Sequence, residues 1–149
     1  MVNDENEQII AHRNKNGNEQ LLVAHLKETA KLSERFAGKI DLPEIGTIMG
    51  LLHDFGKASQ EYQNYLKTQV GLINPDEDNY SIARRGEVDH STAGAQLVYQ
   101  KLANRGQEGK ILAQFLALAI ASHHSGLIDC LKPDGFNEFQ RRIGKDPKD

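Results

Sequence analysis

His53 and Asp54 stand side by side at the end of an apolar run, Leu51-Leu52-His53-Asp54-Phe55-Gly56-Lys57, and His25, His90, His123 and His124 are distributed along the same chain. Each neutral imidazole offers one nitrogen lone pair and the carboxylate offers two oxygens, so this set provides five nitrogen ligands and one carboxylate. That is too many for one closed four-ligand zinc site and about right for two ions with Asp54 between them. Cysteine is missing from the set, which argues against a zinc finger. Two ions roughly 3.5–4 Å apart can lower the pKa of a bridging water and clamp the attacking and leaving oxygens of a phosphoryl centre, so phosphodiester hydrolysis is the natural chemistry. One or two divalent transition metals are expected, drawn from manganese, iron, cobalt, nickel and zinc, because magnesium favours all-oxygen sites.

These residues need helices to position them, and helical spacing is what the chain offers. Leu22, Leu26 and Phe36 share roughly one side of a segment from Glu19 to Ala37, with His25 beside the stripe and Gly38 at its close. A second helix should begin near Pro43, with Asp41 as its cap, and run through Ile45, Ile48, Met49, Leu51 and Leu52 to the His-Asp pair. Apolar nearly all round, it reads as the central buried helix, ended by Gly56. Buried there, Asp54 would be costly without a cation or metal partner. Further helical patterns cover about Ala58 to Val70, Ser91 to Gly106 with Asp89 or Ser91 as cap, Glu108 to Ser122, and Phe136 to Ile143. His123 and His124 close the Glu108 to Ser122 helix as His53 and Asp54 close the second. No segment shows the alternation of a half-buried strand, so the expected fold is an all-α orthogonal helical bundle. Residues 1–18 read as a loose polar lead-in, with His12 as a solvated surface histidine, and residues 71–89 as a long loop carrying Arg84 and Arg85.

Length and composition narrow the function further. A chain of 149 residues with 38% hydrophobic and 26% charged residues is one domain with a core of its own. Its net charge of −3 lacks the excess of a sequence-independent nucleic-acid coat, so a phosphate substrate must be held locally. No apolar run reaches membrane-spanning length and the N-terminus has no signal-peptide pattern. The lone Cys130 excludes an internal disulfide and suits a cytoplasmic protein. Neither a Gly-x-Ser-x-Gly elbow nor a phosphate loop is present: Asn104 and Ile111 break the pattern around Gly109-Lys110.

Laid out this way, the chain resembles the HD phosphohydrolase superfamily, and most closely the HD nuclease domain of the type I CRISPR nuclease-helicase. The resemblance rests on His25, His53-Asp54-Phe55-Gly56-Lys57, Asp89-His90-Ser91 and Ser122-His123-His124-Ser125-Gly126-Leu127, over about residues 20 to 130. It implies an all-helical bundle that cuts single-stranded DNA, as endonuclease and exonuclease, on the strand displaced by an RNA-guided surveillance complex, with a helicase domain or subunit as partner. It implies one metal on His25, His53 and Asp54, and a second on Asp54, His90, His123 and His124. Asp54 and Lys57 would be the catalytic pair, Lys57 steadying a phosphate or a nearby carboxylate. The family usually adds a final aspartate downstream of the doubled histidine. Here the chain ends 25 residues after His124, with only Asp129, Asp134 and Asp146 to offer, so a shortened member or an N-terminal fragment is expected, with unequal metal sites.

Two other readings stay open. One is an HD-type phosphohydrolase of nucleotides or cyclic dinucleotides, disfavoured because Ser125-Gly126-Leu127 stands where the cyclic-dinucleotide group continues with glutamate. The other is a catalytically incomplete module that docks on DNA or a partner. Single-strand binding would call on Tyr62, Tyr65, Tyr80, Arg84 and Arg85 for stacking and phosphate contacts, against core packing for the two helical tyrosines and ordinary solvation for the arginines. Asp54→Ala is expected to abolish turnover and leave the fold largely intact.

Overall fold

The computed structural model describes residues 8–14, 16–69, 88–124 and 126–145. Among them the chain forms a short hairpin, β1 (Ile10–Arg13) and β2 (Glu19–Leu21), followed by six helices: α1 (Leu22–Ala37), α2 (Pro43–Leu52), α3 (Gln60–Gln69), α4 (Ser91–Leu102), α5 (Gly106–Ser122) and α6 (Glu138–Ile143). The expected helical bundle is present, with a hairpin that helical spacing did not anticipate.

The hairpin corrects the expectation of no strand and of a loose lead-in through residue 18. β1 and β2 pair antiparallel, with Ile10 opposite Leu21, His12 opposite Gln20 and Arg13 opposite Glu19. Local turn chemistry makes it. Asn14 Oδ1 accepts the backbone N–H of Asn16 at 2.9 Å and of Asn18 at 3.0 Å, and Gly17 takes a left-handed φ of 84° that other residues resist. β2 then runs directly into α1, which replaces the helical start expected at Glu19.

The helix starts follow elementary capping. Pro43 occupies the first turn of α2 with Glu44 beside it, but Asp41 is not the cap: it adopts a left-handed φ of 58° in the preceding turn, and Leu42 leads into the helix. At α4, Asp89 Oδ1 accepts from the N–H groups of Ser91 and Thr92, both at 3.1 Å, and Oδ2 from the Thr92 hydroxyl at 2.5 Å. These bonds, with the Arg142 charge, outweigh burial and hold the Asp89 carboxyl below its ordinary range.

The core lies between α4, α5 and α6, in Ala95, Val98, Leu116, Ala117, Ile120, Ala121 and Phe139. The most buried helix is therefore the second half of α5, not α2. On α2 only Gly46 and Gly50 are fully buried, while Ile45, Ile48, Met49 and Leu52 pack on the edge of the core and Leu51 is exposed. Glycines set the crossings. Gly46 and Gly50, four residues apart on one face, let α2 approach α1 so closely that added Cβ atoms would strike Ser33 and Ala30 backbone atoms. Gly94 does the same for α4, where a Cβ would meet the Leu52 carbonyl at the end of α2. The C-terminal piece is tied across the ends of α4 and α5: Arg142 Nη1 donates to Ala121 O at 2.9 Å and Ser91 Oγ at 3.2 Å, and Gln96 Nε2 donates to Lys145 O at 2.6 Å. No described helix is long and apolar enough to cross a membrane.

Candidate metal centre

α2 stops at Leu52, and the chain turns through His53 and Asp54 into a 3-10 turn at Phe55–Ala58. Gly56, expected to end the helix, lies inside that turn. Its function is close approach: a Cβ there would collide with the His90 carbonyl just before α4. The α2 end and the α4 start therefore meet, and Asp54 sits between them, only 3% exposed.

The two oxygens of Asp54 face two different sets of donors. Toward Oδ2 point His25 Nε2 at 2.9 Å, His53 Nε2 at 3.2 Å and Lys57 Nζ at 2.9 Å. Toward Oδ1 point His90 Nε2 at 3.5 Å, His123 Nε2 at 3.3 Å and His124 Nε2 at 3.7 Å. Every histidine proposed from sequence as a ligand is thus brought to this carboxylate, although they come from α1, the end of α2, the start of α4 and the end of α5.

Backbone carbonyls orient three of the rings. Nδ1 of His53 donates to Gly50 O at 2.9 Å, Nδ1 of His123 to Ile120 O at 2.7 Å and Nδ1 of His90 to Val88 O at 3.3 Å. Each ring, fixed to a carbonyl through Nδ1, turns Nε2 inward, and it is that nitrogen, freed of its proton, that would ligate a metal. His90 Nε2 and His124 Nε2 converge to 2.6 Å from one another. Burial of Asp54 would raise its pKa, but hydrogen bonds from His123, His53 and Lys57 win and hold it far below the carboxylate range. Burial lowers His90 and His124, so both are neutral near pH 7. For His53 burial also lowers, yet the Asp54 hydrogen bond and charge outweigh it and the net shift is upward. Five Nε2 atoms turned toward an ionised carboxylate fit a metal ion by donor chemistry, since a bound cation would take the place of the protons that Nε2 shares with Asp54. Asp54, His90, His123 and His124 form one group able to hold an ion, and His12, His25 and Asp54 form another, the ligand atoms in each lying within 4.8 Å of one another.

His12 is the residue that sequence reasoning missed. It is exposed, as expected of a surface histidine, but it lies edge-on to His25 with ring centres 4.8 Å apart, and its Nε2 is 3.3 Å from Lys57 Nζ. Burial and the Lys57 charge lower its pKa. The available signals were the apolar run Ile9-Ile10-Ala11 before it and the Asn16-Gly17 pair after it, a short-strand and turn pattern that a search for helices passes over. Neither Asp129 nor Asp134 joins a metal group; Asp134 instead accepts the Phe136 N–H at 2.9 Å. Asp146, Tyr80, Arg84 and Arg85 lie outside the described residues.

Beside the Oδ1 set opens a cavity of about 690 Å³ whose walls include Tyr62, Tyr65, Arg141, Arg142 and Lys145. Tyr62 packs edge-on to His90 at 4.9 Å and lies 5.8 Å from Tyr65, so a row of rings leads away from the carboxylate. Tyr62 is both core and wall. Burial and the Asp54 charge push its phenol up to about 12, so it stays neutral. Glu138 hydrogen-bonds Arg141 and Arg142, is pulled down to about 2, and so holds two guanidinium groups at the rim.

Residues 11–142 match the family model described as Cas3, HD domain. No curated protein matches the chain.

Proposed function

The chain belongs to the Cas3 HD-domain family and so to a CRISPR context, and from that premise we propose that it is a metal-dependent nuclease that hydrolyses phosphodiester bonds of single-stranded DNA. The observation that carries the reading is the division of Asp54, one oxygen facing His25 and His53, the other facing His90, His123 and His124. Asp54 would bridge two ions held by those two sets. When bound, divalent metal supplies Lewis acidity at the phosphoryl oxygens and a nucleophile near neutral pH. The chain's own residues do the rest. Lys57, buried against Oδ2, fixes the orientation of the Asp54 carboxylate and adds positive charge beside the scissile phosphate. Tyr62 and Tyr65 give stacking surfaces along the cavity, and Arg141, Arg142 and Lys145 give it cations for neighbouring phosphates. A chain of net charge −3 does not gather DNA by itself, which supports a partner that delivers the strand: a helicase domain or subunit, acting with an RNA-guided surveillance complex in the cytoplasm.

The test is cleavage of circular single-stranded DNA with manganese, cobalt or nickel, beside an Asp54→Asn variant. Asparagine is the better substitution. Asp54 and Lys57 are 3% and 2% exposed, so alanine would leave a buried ammonium without its acceptor at a cost of about 3–5 kcal/mol, whereas asparagine keeps an oxygen that can accept from Lys57. Metal-dependent cutting that disappears in Asp54→Asn is the expected outcome. Cutting that survives chelation refutes the mechanism, hydrolysis confined to cyclic dinucleotides moves the protein to the other phosphohydrolase class, and chelator-insensitive binding without cutting identifies a docking module.

A further inference from the structure

We propose that His12 is an additional ligand of the metal ion on the Oδ2 side of Asp54, acting with His25. The inference rests on the metal-dependent reading above and adds to it a residue from the hairpin.

Three observations converge. First, β1 is built into the site and does not merely pass over it. Gln63, itself buried, uses its side-chain amide as a strand partner: Oε1 accepts the Ile10 N–H at 3.1 Å, and Nε2 donates to Ile10 O at 2.9 Å and to Lys57 O at 2.7 Å. One side chain therefore fixes β1 to the turn that follows the His-Asp pair, and β2 leads without a break into the helix that carries His25. Second, the His12 lone pair is aimed inward. Lys57 Nζ can only donate, so His12 Nε2, 3.3 Å away, must be the acceptor. The same ammonium is 2.9 Å from Asp54 Oδ2. His12 and Asp54 thus already share a cation. Third, the ligand atoms of His12, His25 and Asp54 lie within 4.8 Å of one another. Among the described residues the Oδ2 side otherwise offers His25, His53 and Asp54, and no second carboxylate belongs to a metal group. A neutral nitrogen in that place gives a softer site than a carboxylate would, favouring cobalt or zinc over manganese.

The competing role for His12 is to hold Lys57 and nothing more. His12→Gln separates the two, because the glutamine oxygen can still accept from Lys57 but is a poor ligand for these metals, and an exposed position tolerates the change. Calorimetric titration of the native chain with cobalt and with manganese, without DNA, should resolve two unequal sites. His12→Gln should weaken one of them by about 10–100-fold, the range that loss of even an outer-shell partner produces, more for cobalt than for manganese, leave the other unchanged, and alter the visible cobalt absorption. Two sites of native affinity in His12→Gln would overturn this inference while leaving the nuclease reading standing. Equal loss at both sites would overturn it as well, since a ligand acts on its own ion. A native chain that binds neither metal would overturn both.

Discussion

Replacing Gln63 with leucine keeps the side-chain volume roughly constant and removes an amide that makes three hydrogen bonds of 2.7 to 3.1 Å to backbone groups of Ile10 and Lys57. All three are buried. Two of the three hold β1, and at about 1 kcal/mol net for each the hairpin should lose about 2 kcal/mol of attachment. The freed groups of Ile10 can reach water if β1 lifts away, so the loss should appear as local opening before global unfolding. Two kcal/mol corresponds to about a 30-fold change in an opening equilibrium. Amide hydrogen exchange followed by NMR should therefore show Ile10–Arg13 exchanging about 30-fold faster in Gln63→Leu, with Leu116 and Ile120 in α5 unaffected. Unchanged exchange in β1 would mean that strand pairing with β2 alone holds the hairpin. A uniform increase reaching α5 would mean that Gln63 supports the whole fold, and either result refutes the clamp.

Gly94→Ala should destabilise the protein by about 1–2 kcal/mol in denaturant unfolding, because the Leu52 carbonyl that the new Cβ meets is backbone, and overpacking of that kind outweighs the gain in helix propensity; a more stable variant would show that α2 and α4 can separate freely. The metal-free protein should lose stability as pH falls below 6.5. His12, His90 and His124 all have pKa values below that ordinary value, so the unfolded chain binds more protons through this window, whereas His53, which is raised, works in the opposite sense and alone gives stability that is lost as pH rises. Thermal melts in chelator from pH 8 to pH 5 measure this directly, and a melting temperature that holds or rises on acidification would contradict it.

Helical period, glycine punctuation and donor chemistry were all present in the one-dimensional pattern, and these gave the helices close to their observed ends and the six residues gathered at the centre. His53-Asp54 and His123-His124 were legible because adjacent ligands at the end of an apolar run are a local feature. Long-range geometry was not. The choice of α5 over α2 as the central helix depends on which faces meet, and α2 gives up burial because Gly46 and Gly50 press it against α1. Gly56 reads locally as a helix stop, yet its position is required by the approach of the His90 carbonyl, a contact across 34 residues. The clamp from Gln63 to Ile10 spans 53 positions, and no periodicity announces a side chain that stands in for a strand. Sequence alone determined which atoms could bind a metal and that helices would carry them. Only the tertiary structure decided that Asp54 would offer one oxygen to each of two histidine sets, and that a hairpin would bring His12 among them, because both depend on helix crossings and buried hydrogen bonds between residues far apart in the chain.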